Sequence, residues 1–190
     1  MTISPASLEL IQVVIALVLL GLSLVCLPAA YVASWRAFAA HERRWLLGAL
    51  GVGAIARWIL APHLLAMIFI GYKQTEHALS LLPLSHYGVG ATALYHAVFG
   101  LGPAPDHQTM LMTNVVIGVL TLPLIAALAA RVLQDARAGL IAAWLVALTP
   151  LFIRNDASEA NIVPTLWWLT GGLVLLDRWA TTGRKSLLAG

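Results

Sequence analysis

Long apolar runs separated by short charged segments make up most of this 190-residue chain. Residues 10–34 contain no charged side chain, and comparable runs follow at 45–70, 108–133, 138–153 and 160–177. About 20 apolar residues suffice for a helix to cross the hydrocarbon core of a bilayer. The pattern therefore predicts an all-α fold: one transmembrane domain over residues 1–190, a polytopic bundle of about five transmembrane helices.

Proline and charge interrupt some of these runs. Pro28 predicts a kink near the end of the first helix, and Arg57 and Pro62 interrupt the second. One helix could end at Leu60, with residues 61–72 either bending along the interface or continuing as a tilted extension. Residues 71–107 are predicted to form an outer loop, and a connection of this length usually has a function. Within it, residues 88–99 are apolar enough to form a short interfacial helix.

Composition supports the membrane assignment. The chain is 61% hydrophobic and 10% charged, whereas soluble domains average roughly 45–50% apolar and 25% charged residues. The net charge of +3 does not point to nucleic acid, because basic residues of membrane proteins collect in cytoplasmic loops. Cys26 is the one cysteine, so the sequence holds no internal disulfide and no zinc motif.

The basic residues are unevenly divided between the two predicted sides. Lys73 and Arg154 fall on one side, and Arg57 lies inside a span. The other side holds eight: Arg36, Arg43, Arg44, Arg131, Arg137, Arg178, Arg184 and Lys185. The positive-inside rule then predicts a multi-pass protein of the cell membrane, the inner membrane in a Gram-negative cell, with its N-terminus outside and the C-terminus of this segment in the cytoplasm.

The most polar stretch, residues 71–101, combines a lysine, a carboxylate and three histidines at a predicted membrane surface. Ionisable groups are costly there, so such a cluster indicates function. Glu76, beside His77, is the candidate general base, because partial desolvation raises a carboxyl pKa toward the working range. The alternative is a solvated loop glutamate.

Three cations are candidate anion ligands: Lys73, Arg154 and Arg57. They could bind a phosphate, or they could pair with the carboxylates of Glu76, Asp156 or Glu159. For Arg57, snorkelling to the interface is a further alternative. Asp156 and Glu159 would share one helical face if the last helix starts early, although Asp156 or Ser158 could simply cap that helix.

Motifs for other chemistries are missing. The sequence contains no HExxH, Walker or GxGxxG motif and no serine-hydrolase elbow. The histidine spacings match no metal site, so no metal ligand is assigned, and a divalent metal is a cofactor without support. Nucleotide-binding and hydrolase functions lose support accordingly.

The segment ARVLQDARAGLIAAWLVALTPLFIRNDASEAN resembles the third and fourth spans of GT-C membrane glycosyltransferases, near family 39 and the aminoarabinose transferase-like proteins. The outer loop with an acidic residue, followed by a helix led by His86, resembles the N-terminal part of the same enzymes. The resemblance covers roughly residues 45–180. Because family members have more spans and a further domain, the chain is expected to be an N-terminal portion.

The resemblance implies sugar transfer from a polyprenyl-phosphate donor to an acceptor on the non-cytoplasmic face. By position, Glu76 would assist the acceptor, and Lys73 or Arg154 would hold the carrier phosphate. The remaining predicted substrate-binding residues are His77, His86, Tyr87, Asp156, Glu159 and Arg57. The expected partners are the lipid bilayer and the lipid-linked sugar. The alternatives are a non-enzymatic transport or assembly subunit with several spans, and an inactive chain that keeps only the fold.

Overall fold

The structure, a computed structural model, describes residues 5–60, 89–101, 107–156 and 162–183. These residues form seven α-helices and no strand. The helices are α1 (Pro5–Arg36), α2 (Ala40–Leu60), α3 (Val89–Leu101), α4 (His107–Val132), α5 (Ala136–Leu148), α6 (Pro150–Asp156) and α7 (Ile162–Thr182). The predicted all-α fold is confirmed for this part of the chain.

Two described helices are by themselves long and apolar enough to cross a membrane, in α1 over Val13–Arg36 and in α4 over Gln108–Val132. The pair α5 and α6 passes the same test together, although the two helices are bent by 63° at their junction. The described residues thus provide two or three candidate spans, which supports membrane association. The five predicted spans remain a prediction, because charged residues lower the hydropathy of α2 and α7.

α4 is the central helix of the described bundle, and it contacts each of the other six. Half of its apolar window is buried, against 12% for that of α1. Small side chains bring neighbouring helices close, since Ala30, Ala49, Ala126 and Ala143 are fully buried. The outer faces carry exposed large apolar residues, as lipid-facing helices do.

Two short turns join antiparallel helices. Between α1 and α2, the Glu42 carboxylate accepts a hydrogen bond from the Ala39 amide at 2.7 Å. Between α4 and α5, Gln134 has φ +53°, and the N-cap residue Asp135 accepts from the Arg137 amide at 2.9 Å. Asp135 therefore caps the start of α5.

These two turns and the end of α7 lie at one end of the bundle. Arg131 Nε lies 3.1 Å from Asp177 Oδ1, which joins α4 to α7, and Trp45 and Arg137 line one cavity between α2 and α5. We call this region the arginine-rich end; its described arginines are Arg36, Arg43, Arg44, Arg131, Arg137 and Arg178. The charge division in the sequence therefore corresponds to a spatial division, while its orientation in a membrane stays a prediction.

The predicted span 138–153 differs from the structure, because the chain breaks at Thr149 into α5 and α6. Pro150 has no N–H and cannot continue the hydrogen bonding of α5. By contrast, Pro28 lies inside α1 without ending the helix. Trp167 of α7 is hydrogen-bonded to α1: its Nε1 donates to the Tyr31 hydroxyl, which donates to the Leu120 carbonyl oxygen at 2.9 Å.

Several predicted features lie outside the described residues. They are the interfacial or tilted extension at 61–72 and two parts of the outer loop, up to residue 88 and at 102–106. A helix is present at Val89–Leu101, where a short interfacial helix was predicted. Ala91, Tyr95 and Phe99 of this helix are buried together with Met110, so α3 packs onto the start of α4.

Close packing of α5 on α4 depends on Gly139. A Cβ at this position would overlap the Ala126 carbonyl oxygen and lie 2.7 Å from the Ala130 Cβ. We predict that Gly139→Ala lowers the free energy of unfolding by about 1–3 kcal/mol, the usual cost of overpacking. Thermal unfolding in detergent measures this.

Gly51→Ala is the matched control, because a Cβ on Gly51 of α2 meets no atom within 4 Å. Alanine stabilises a helix interior by roughly 0.5–1 kcal/mol relative to glycine, so this variant should unfold at or above the wild-type midpoint. Equal midpoints for Gly139→Ala and wild type would show that α4 and α5 do not pack this closely.

Candidate functional site

A buried ion pair is the main polar feature of the described bundle. Arg57, in the last turn of α2, is fully buried, and its Nε donates to Asp156 Oδ2 at 2.6 Å. The Asp156 side chain is 9% exposed. Moving a charge from water into a protein interior costs several kcal/mol, so both charges persist only because each compensates the other.

The Arg57 guanidinium also bonds to backbone at the break between α5 and α6. NH1 donates to the Ala147 carbonyl oxygen at 3.1 Å, and NH2 donates to the Val146 carbonyl oxygen at 3.4 Å. In a continuous helix the Val146 carbonyl would accept from residue 150, but Pro150 has no N–H. A buried carbonyl without a partner is costly, and Arg57 supplies donors in place of the missing helical ones.

The helix dipole reinforces this arrangement. The C-terminus of a helix carries partial negative charge, so a cation there is stabilised. Arg57 is such a cation for α5, although it belongs to α2. Asp156, at the end of α6, then balances its charge. One guanidinium therefore joins three helices.

Glycines make room for the pair. A Cβ on Gly118 of α4 would overlap the Asp156 carboxylate. A Cβ on Gly53 would lie 3.2 Å from the Ala147 Cβ and 3.3 Å from Arg57 NH1. We call Arg57, Asp156, Gly53 and Gly118, with the carbonyls of residues 146 and 147, the Arg57–Asp156 cluster.

The cluster lies at the last described turns of α2 and α6. α2 ends at Leu60, one turn after Arg57, and the chain continues into residues 61–88; α6 ends at Asp156 itself, before residues 157–161. Both α2 and α5 begin at the arginine-rich end and run away from it. The Arg57–Asp156 bond therefore ties together the starting points of two segments that are far apart in sequence, away from that end.

Of the predicted site residues, the structure describes three. Arg57 and Asp156 are in contact, whereas Arg154 is exposed on α6. Glu76, Lys73, His77, His86, Tyr87 and Glu159 lie outside the described residues.

The structure decides between the alternatives for Arg57 and Asp156. Snorkelling of Arg57 is wrong, because its side chain is 0% exposed and pairs with Asp156. Asp156 ends α6 and does not cap α7, which begins at Ile162. Arg57 Nε, NH1 and NH2 all donate to protein oxygens, and these bonds join α2 to α5 and α6.

Sequence reasoning missed a polar stripe on α4, formed by Asn114, Gly118 and Thr121. The stripe is buried, and Asn114 Oδ1 accepts from the Tyr95 hydroxyl at 2.6 Å. Gly118 contacts the Asp156 carboxylate. The spacing i, i+4, i+7 places all three on one helical face. This spacing could have identified the buried face of α4 from the sequence.

Two other features bear on ligand binding. No group of three or more His, Cys, Asp or Glu that could hold a metal occurs among the described residues. An apolar cavity of about 340 Å³ lies between α1 and α7, with Leu22, Cys26 and Trp168 in its wall. The ion pair belongs to other helices, so this cavity is separate from the Arg57–Asp156 cluster.

Comparisons of the chain with protein-family models, with curated proteins and with solved structures found no match. The resemblance to GT-C glycosyltransferases therefore stays a prediction.

The ion pair predicts strong coupling between its two members. Arg57→Met and Asp156→Asn each leave one buried charge without a partner, so each should lower the free energy of unfolding by about 3–5 kcal/mol. The double variant should lose at least about 2 kcal/mol less than the sum of the two single losses. Unfolding in detergent measures all four proteins.

The exposed pair of Arg131 and Asp177 provides the control, since its side chains are 55% and 39% exposed. The cycle of Arg131→Met and Asp177→Asn should give a coupling below about 1 kcal/mol. If the coupling at residues 57 and 156 is no larger than this, the two charges are not paired in the folded protein.

Proposed function

We propose that this chain acts as a membrane glycosyltransferase that transfers a sugar from a polyprenyl-phosphate donor to an acceptor on the non-cytoplasmic face. The main support is the Arg57–Asp156 bond, which brings the ends of α2 and α6 together. The segment after α2 contains Lys73, Glu76 and His77, and the segment after α6 contains Glu159. Residues from both segments can then contribute to one site.

In this proposal, Glu76 accepts the proton of the acceptor hydroxyl. The acceptor oxygen forms a bond to the anomeric carbon while the bond between that carbon and the phosphate oxygen breaks. The sugar is transferred with inversion, and polyprenyl phosphate leaves with the bonding electron pair. A carboxylate near a membrane surface suits the role of base, because desolvation raises its pKa toward neutrality.

Two cations are proposed to hold the carrier phosphate. Negative charge grows on the phosphate as the sugar leaves, so a cation there stabilises the transition state more than the ground state. Lys73 and Arg154 are proposed for this role. His77, His86, Tyr87 and Glu159 would donate or accept hydrogen bonds with the sugar and the acceptor.

Arg57 and Asp156 are positioning residues in this proposal. Arg154 and Asp156 both belong to the seven-residue helix α6, and Asp156 is anchored to α2 through Arg57. The anchor therefore restrains Arg154 relative to the chain that follows α2. Such positioning affects the rate of catalysis, because a misplacement of a catalytic group by about 1 Å can lower the rate about 100-fold.

The test is Glu76→Gln in the whole chain, in membranes supplied with radiolabelled polyprenyl-phosphate sugars. Glutamine keeps the size of the side chain but cannot accept the proton, so we predict that transfer falls by at least about 100-fold, the scale of general-base catalysis. Thin-layer separation of the labelled product measures it.

Glu42→Gln is the matched control at the arginine-rich end, where an amide oxygen can still accept from the Ala39 amide. It should transfer sugar at the wild-type rate. Unchanged transfer by Glu76→Gln would remove Glu76 from the mechanism. If wild-type protein transfers no sugar from any polyprenyl-phosphate donor tested, the proposed function is wrong.

One observation favours the second candidate, a non-enzymatic transport or assembly subunit. The span formed by α5 and α6 is bent by 63° at Thr149 and Pro150, and a buried ion pair lies at the break. Broken helices with charged partners often line substrate paths in transporters.

Cysteine labelling separates the two candidates. In a Cys26→Ser background, Thr149→Cys places one thiol at the break, because the chain has a single native cysteine. A transport path would let polar thiol reagents reach this position from both sides of the membrane. In the glycosyltransferase, labelling should come from one side at most.

A further inference from the structure

A second cleft lies at the arginine-rich end, among α1, α4 and α7. It encloses about 200 Å³. Its charged rim is formed by Arg131, Asp177 and Arg178. Its apolar wall consists of Ala33, Ala37, Ala127, Leu128 and Val174. The cleft thus joins a charged rim to an apolar wall at the end of three apolar helices.

The rim carries a net positive charge, because it contains two arginines and one aspartate. Arg131 uses Nε to bond Asp177 Oδ1 at 3.1 Å, and no described residue accepts a hydrogen bond from its two terminal nitrogens. The Arg178 side chain forms no hydrogen bond or ion pair with any residue in the described ranges. Arg131 and Asp177 therefore balance each other, whereas no described carboxylate pairs with Arg178.

The surroundings strengthen the attraction for anions. The described part of this end carries six arginines against three carboxylates: Glu42, Asp135 and Asp177. Each basic residue near an anionic membrane surface contributes about 1 kcal/mol of attraction. Guanidinium also matches the geometry of a phosphate, because it can donate two parallel hydrogen bonds.

We propose that this cleft binds the phosphate headgroup of an anionic membrane phospholipid, with Arg131 and Arg178 donating to the phosphate and an acyl chain lying along the alanine-rich wall. The apolar wall favours a lipid over free phosphate, which would gain nothing from it. The site does not depend on the proposed glycosyltransferase function, which involves other helix ends.

The test titrates purified protein in detergent with short-chain phosphatidylglycerol and follows the thermal unfolding midpoint. A ligand that binds the folded state raises the midpoint, and the rise grows with the logarithm of the ratio of its free concentration to its Kd. Wild type should show a saturable rise, whereas short-chain phosphatidylcholine and inorganic phosphate at equal concentration should produce much smaller rises. Arg178→Gln should weaken the apparent affinity about fivefold, as expected for one arginine at an anionic surface.

Two further variants distinguish a defined site from general charge. Arg44→Gln removes the same charge from the same end but lies outside the cleft, so it should bind phosphatidylglycerol like wild type. Ala37→Leu fills part of the cleft without changing charge, so it should also weaken binding several-fold.

Each contrary result overturns the proposal. Equal weakening by Arg44→Gln and Arg178→Gln would indicate diffuse attraction without a site. An equal rise with inorganic phosphate would indicate a site for free anions. No rise with phosphatidylglycerol in wild type, or unchanged binding by Ala37→Leu, would remove the lipid from the cleft.

Discussion

The described bundle depends on one polar contact in an apolar setting, the bond between Arg57 and Asp156. Its strength comes from its surroundings: a charged hydrogen bond buried away from water is stronger than one at the surface, and losing one partner is correspondingly costly. Because Arg57 also donates to carbonyls at the break of α5, the same side chain compensates a charge and repairs a helix end. α2, α5 and α6 cannot separate without leaving these groups without their partners.

This contact also explains why α6 can exist as a separate short helix. A helix of seven residues has little stability of its own. Its last residue is bonded to α2, and the carboxylate of that residue rests against Gly118 of the central helix. The last described residues of α2 and α6 are therefore held together, which is the geometric basis for proposing one site built from the residues that follow them in sequence. The opposite end, rich in arginine, has a different chemistry, suited to contact with anionic headgroups.

Much of the general organisation could be predicted from sequence. Apolar runs indicated the helices, and the uneven distribution of arginines corresponds to a real end of the bundle. The site was harder to predict. Charge inside a span marked Arg57 as unusual, but pattern alone left three outcomes open for it. Residues such as Glu76 remain predictions, because they lie outside the described part of the chain.

Sequence by itself determined the all-α class, since uncharged runs of this length satisfy their backbone only as helices in an apolar medium. It also determined where arginine is concentrated, because charge is carried by residue type. Only the tertiary structure decided that Arg57 faces Asp156, that Thr149 and Pro150 split one apolar run into two helices, and that Gly118 makes room for a carboxylate. The partners of these groups lie tens of residues away in sequence, and helix packing alone brings them together. Periodicity describes one helix at a time and carries no information about which face meets which neighbour.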